Sequence, residues 1–270
     1  MTTVLNRPVP VVGDRGWWAK TAGAARYEYL MQVRRPAVWL VVVGLIALRS
    51  SAPWPPELGS VTVHSTLVAE WAMNFTMLCP IGVGAVLADR ARREACLGLC
   101  DLLGSTPAGI GPRWWGKAIG ATAATITPVA LCWAALLAYL AAQHGASVLP
   151  VGIEVFAAVI LPGLIFISAC SLTIPFLIGA PLYRLGLVGY WFWGNMVGPR
   201  YGIPTPAGTP FEAIGEYPVG AWFHGHMFDA ADRGVHADTA NATVSIAFLL
   251  ISALVVLVVT HLVLNRRSQS

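Results

Sequence analysis

Long apolar blocks, separated by short charged or proline-bearing stretches, constrain this chain more than any other feature. The block 240–264 contains no Asp, Glu, Lys or Arg. In lipid each main-chain N–H and C=O must find its partner within the segment, so such a block reads as a helix, and a bilayer takes about 20 residues per crossing. Charged residues are 11% of the chain and apolar ones 56%, against about 25% charged in ordinary soluble domains. A soluble core at this length does not absorb that much apolar surface, so the expectation is an all-α integral membrane protein without a soluble catalytic domain.

Counting blocks gives six transmembrane helices, at 36–50, 61–87, 117–143, 151–179, 185–197 and 240–264. The first and fifth are short, and a four-helix count is the alternative. The chain then reads as one transmembrane domain, 1–270: a cytoplasmic tail at 1–15, an amphipathic interfacial helix at 16–35, a six-helix bundle at 36–264 with an outer segment at 198–239, and a second cytoplasmic tail at 265–270.

Orientation follows from lysine and arginine, which short cytoplasmic loops retain. With the amino end inside, Arg7, Arg15, Lys20, Arg26, Arg34, Arg35, Arg90, Arg92, Arg93, Arg113, Lys117, Arg184, Arg266 and Arg267 are cytoplasmic, and only Arg49, Arg200 and Arg233 are outside. That asymmetry predicts a multi-pass protein of the cell membrane with both ends cytoplasmic. The basic residues flank apolar blocks, so the partner they imply is the lipid bilayer and not nucleic acid. Cys79, Cys96, Cys100, Cys132 and Cys170 show no paired spacing and are expected as free thiols.

Two non-spanning segments stand out. From Trp17 to Arg35, Trp17, Trp18, Tyr27, Tyr29, Leu30 and Met31 mix with Lys20, Arg26, Glu28 and Arg34, as in a helix at the inner leaflet. Between the second and third blocks, Asp89, Arg90, Arg92, Arg93 and Glu94 precede Leu97, Leu99, Leu102 and Leu103, and Gly104 and Pro107 end the stretch. It reads as a short amphipathic cytoplasmic helix whose leucines are available to a partner.

The run from Asp89 to Gly120, DRARREACLGLCDLLGSTPAGIGPRWWGKAIG, is similar to the corresponding loop of ABC type-2 exporter permeases, with Gly98, Asp101, Leu102, Leu103, Ser105, Thr106, Pro107, Gly116 and Lys117 in matching order and Leu99 and Cys100 departing from it. The stretch 27–36, ending Arg34-Arg35-Pro36, resembles that family's entry into its first helix. The resemblance implies a transport subunit that is not itself an enzyme. It would pair with a second permease copy or relative and with separate nucleotide-binding ATPase subunits, which carry ATP and Mg. Asp89, Arg92, Arg93, Glu94, Leu97, Gly98, Asp101, Leu102, Leu103 and Pro107 would couple to the ATPase, and the substrate would be a drug, lipid, peptide or glycan.

The remaining motifs are weaker. Gly111, Gly116 and Lys117 have phosphate-loop spacing, but Ala118 stands where Ser or Thr must hold magnesium, and Trp114 and Trp115 fill the loop. Thr66, Glu70 and Asn74 recur every four residues and share a helix face, which reads as a hydrogen-bond cluster, as part of a translocation path, or as a proton-coupling site. On the last reading the chain is a secondary carrier or channel with Glu70 as its ion site. Pro128, Pro162 and Pro175 are expected to kink their helices or mark weak points. His224, His226 and Asp229 match no tight zinc spacing, so no metal is expected on the chain.

Overall fold

The computed structural model describes residues 16–51, 64–90, 109–197, 202–226 and 237–267. Among these the chain is helical throughout, with no strand: α1 (Trp17–Val33), α2 (Pro36–Ser51), α3 (His64–Leu87), α4 (Ile110–His144), α5 (Val148–Val155), a π-helical turn (Phe156–Ile160), α6 (Leu161–Thr173), α7 (Pro175–Ile178), α8 (Ala180–Asn195), α9 (Glu216–Phe223) and α10 (Thr239–Arg267). Four of the described stretches are long and apolar enough to cross a membrane: α3, α4, Val148–Ile178 and α10. A fifth arises if α1 and α2, bent by 64° at their junction, form one broken span. The six-span expectation relied on α2 and α8, and each of these has 16 residues. At about 1.5 Å per residue they reach roughly 24 Å, short of a hydrocarbon core of about 30 Å.

α3 is the central helix. It packs against α2, α4, α5, α6, α8 and α9, and Val68, Ala69, Ala72 and Met73 on it are fully buried. Phe75 meets Trp133 of α4 edge-on at 5.2 Å, and Trp191 of α8 donates its indole N–H to the Met77 carbonyl at 2.7 Å. α10 lies at the rim, with Ile251, Leu254, Val255, Val259 and Leu262 all exposed. An outward row of large aliphatic side chains suits lipid and no aqueous surface.

The proline expectations divide. Pro162 follows the π-helical turn, in which Leu161 N–H bonds back to Phe156 O. A wider turn there relieves the clash between the proline ring and the preceding carbonyls. Pro175 follows a one-residue break at Ile174. Pro128 sits inside α4, which continues across it without a break. Gly179, at φ 84°, ends the span Val148–Ile178, and α8 starts at once with Pro181 in its first turn. The chain reverses there without a loop, which is why α8 begins five residues before the apolar block that marks it in the sequence.

α1 runs alongside the first half of α4 in the same direction. Gly111 faces the Trp17 indole, Gly116 faces Ala24, and Gly120 lies against the Ala25 carbonyl and Glu28. Tyr29 Oη and Thr127 Oγ1 are 3.2 Å apart further along. The glycines spaced four apart let two backbones meet closely, as small-residue pairs do between spanning helices. A methyl group on Gly120 would sit 2.3 Å from Ala25 O. Gly120→Ala is therefore expected to destabilise the protein by about 1–3 kcal/mol through overpacking. Gly186→Ala, on an exposed stretch of α8 with open space beside it, is expected to change stability by less than about 0.5 kcal/mol. Thermal unfolding of the two variants in detergent checks the contrast.

Candidate functional site

Two polar sites bracket α3, whose 24 residues span about 36 Å. The first is at its carboxyl end, at the root of the segment that carries the proposed ATPase-coupling residues. Arg90 there forms a two-pronged ion pair with Glu28 of α1, through Nε to Oε1 and through Nη2 to Oε2 at 2.7 Å. Both side chains are buried, and Gln32 adds a bond from its amide to Glu28 at 3.4 Å. A carboxylate and a guanidinium withdrawn from water are tolerated when they face each other in this forked geometry.

The same root is held from the other side. Asp89 accepts from Arg184 Nη2 of α8 at 2.6 Å, and Arg184 Nε donates to Ala85 O at 3.1 Å. This pair is largely exposed and so contributes little, about 0–1 kcal/mol. The buried pair is the stronger brace. Asp89 is the one predicted coupling residue among the described residues. Arg92, Arg93, Glu94, Leu97, Gly98, Asp101, Leu102, Leu103 and Pro107 lie outside them.

α1 is turned contrary to a water-facing amphipathic helix. Thr21, Glu28 and Gln32 are its buried residues, while Trp17, Trp18, Tyr27 and Leu30 are exposed. Arg26 and Arg34 also lie on its exposed side. Lys117 is buried near the start of α4. The phosphate-loop spacing from Gly111 to Ala118 falls within the helix α4, so it forms no loop of converging N–H groups.

The second site lies at the amino end of α3, under the segment 202–226. Thr66 Oγ1 donates to Phe223 O at 3.1 Å and to His224 O at 3.4 Å. The Glu70 carboxylate, on a buried side chain, accepts the His226 main-chain N–H. Asn74 is also buried, and its amide bonds back to Glu70 O at 3.4 Å. Two of the three residues predicted to share a face thus meet that segment, and the third is tied to its own helix.

The segment 202–226 has its own polar frame, which sequence reasoning did not find. Glu212, fully buried, accepts from Gly208 N at 3.1 Å and from Glu216 N at 2.8 Å. The latter N–H opens α9, so the carboxylate caps a helix amino terminus. Tyr217 Oη donates to Gly208 O at 3.0 Å. The segment meets the bundle where Ala213 N donates to Asn195 Oδ1 of α8 at 2.9 Å. It also lies against Gly163, where a Cβ would be 2.7 Å from Ala213 O. Nothing local distinguishes Glu212 or Glu216 from the other acids of 198–239; only their burial does.

Among the described residues, no group of three or more His, Cys, Asp or Glu is placed to hold a metal. Asp229, Asp232 and His236 lie outside them. Cys79, Cys132 and Cys170 are free thiols. Comparison of the chain with protein-family models, with curated proteins and with solved structures gave no match in any of the three.

Leaving either partner of the Glu28–Arg90 pair buried and alone costs about 3–5 kcal/mol. Glu28→Ala and Arg90→Ala are each expected to lower the thermal unfolding midpoint sharply. The double variant is expected to lose clearly less than the sum of the two, the signature of direct coupling. Additive losses would remove the pair from its bracing role.

Proposed function

We propose that this chain is the transmembrane permease subunit of an ABC exporter, moving a substrate across the cell membrane with work supplied by a separate nucleotide-binding ATPase that carries ATP and Mg. The observation that carries the reading is the bracing of the carboxyl end of α3. Arg90 is locked to α1 by the buried Glu28 pair, and Asp89 is clasped by Arg184 of α8. The leucine-bearing stretch 91–108 joins that braced root, in the chain, to α4, along which α1 is packed. A force applied to the segment is thereby delivered to α1, α3, α4 and α8 together. In the permease reading this root is the place where a motor bound from the cytoplasm pulls.

In this reading both chain ends are cytoplasmic, and α2 and α8 complete six crossings. The aromatic side of α1 faces inner-leaflet lipid, the segment 91–108 includes the coupling helix, and a second permease copy or relative completes the path. The substrate class stays as broad as the resemblance leaves it: a drug, lipid, peptide or glycan. The carrier reading built on Glu70 has less support, because that carboxylate accepts a main-chain N–H and so has a structural role.

The Leu102→Glu/Leu103→Glu variant places two charges on the proposed docking leucines without touching the braced root. It is expected to insert and unfold like the parent protein, to lose co-purification of the nucleotide-binding protein, and to lose export. Retained co-purification and export would end the docking assignment.

A further inference from the structure

We propose that Glu70 is a latch: it holds the segment 202–226 closed over the amino end of α3 by accepting a main-chain hydrogen bond.

The segment is bonded within itself. Glu212 ties Gly208 to the start of α9, and Tyr217 Oη returns to Gly208 O. These bonds lie within the segment. Its attachments to the bundle are of another kind. At one end they are Thr205 Oγ1 to Trp193 O, Asn195 to Ala213 N, the close approach of Gly163 to Ala213, and the packing of Ile214 in the main core and of Phe211 and Tyr217 against α10. At the other end they are Thr66 and Glu70 of α3, which reach 156 to 158 residues along the chain to Phe223, His224 and His226.

The second end has the character of a catch. α9 stops where His224 takes the left-handed conformation, φ 54°, the only non-glycine residue with positive φ among those described. Gly225 N then returns to Val219 O at 3.0 Å. The turn presents two carbonyls to the Thr66 hydroxyl and one N–H to Glu70, a donor-for-acceptor match along one face of α3. Gly225 packs so closely that a Cβ on it would lie 2.5 Å from Val219 Cγ1, 3.4 Å from Ala69 Cβ and 3.6 Å from Glu70 Oε1. Val219 and Ala69 are fully buried under this turn. The Glu70–His226 bond is part-buried, so removing its acceptor weakens the closure of the turn. A glutamine amide oxygen accepts such a bond as a carboxylate does, and a leucine does not.

The latch governs the exit only if the permease reading above is right, but its existence is testable without that reading. The full chain, with its five cysteines replaced and Val219→Cys introduced, is placed in lipid nanodiscs, and the rate of labelling by a charged maleimide is measured. No ATPase and no transported substrate is needed, so failure here is separate from failure of the ATPase co-purification. Glu70→Gln is expected to label as slowly as the parent. Glu70→Leu is expected to label at least about fivefold faster, the equivalent of one lost hydrogen bond. Thr66→Val, which removes the neighbouring donor, is expected to accelerate labelling too, and it supplies the comparison if Glu70→Leu does not yield monodisperse protein. Fast labelling of Glu70→Gln, which keeps an acceptor, would overturn the latch. Unchanged labelling in all three variants would show that the segment is not held here, and would overturn it as well.

Discussion

Polar groups inside an apolar helical bundle must find their partners within the protein, and that constraint organises this structure. Glu28, Glu70, Arg90 and Asn195 are all buried, and each is bonded to another part of the chain. An uncompensated buried charge costs several kcal/mol. These contacts therefore fix which helices are neighbours, while the surrounding Leu, Val and Ile surfaces would tolerate several arrangements. They lie toward the two ends of α3, whose middle packs through Ala72, Met73 and Phe75 and takes the Trp191 indole N–H on the Met77 carbonyl.

The carboxyl end of α3 shows how packing and electrostatics reinforce each other. Gly116 and Gly120 bring α1 against α4 closely enough for Glu28 to be enclosed. Enclosure excludes water from the Glu28–Arg90 pair, which raises both its strength and the penalty for breaking it. A helix placed by glycine contacts alone could slide, whereas the ion pair sets its register. At the opposite end, hydroxyl, amide and carboxylate groups receive main-chain donors and acceptors of the segment 202–226. Such contacts, worth about 0.5–1.5 kcal/mol each, hold a segment in place yet can be released singly.

Much of the helical layout was legible in the sequence, because lipid demands helices and proline and glycine punctuate them. Pro36 opens α2, the span Val148–Ile178 ends before Gly179, and α10 runs from Thr239 to Arg267 with little beyond the apolar block. The number of crossings was less legible. α2 and α8 are apolar but short, and block counting cannot distinguish a short span from half of a bent one. The polar pairs were largely hidden. Glu28 is a single acid among basic and aromatic neighbours and reads locally as part of a charged flank, and its partner lies 62 residues away. Glu70 stood out, since a carboxylate in an apolar block is conspicuous, but its periodicity with Thr66 and Asn74 gives a face and not a partner. Gly116 was visible as part of a phosphate-loop spacing with Gly111 that Ala118 ruled out, but nothing local named α1 as the helix that Gly116 and Gly120 meet.

The central claim is that the segment leaving the braced root at Arg90 receives force from a nucleotide-binding protein. Its most direct test is a photo-crosslinking amino acid placed at Leu102 in the full chain and irradiated in its native cells, with the captured partner identified by mass spectrometry. The account predicts an adduct with a nucleotide-binding ATPase that is lost when the probe is moved to the lipid-facing position Leu254 on α10. Adducts with lipid alone at Leu102, or capture of the ATPase from Leu254 and not from Leu102, would contradict it.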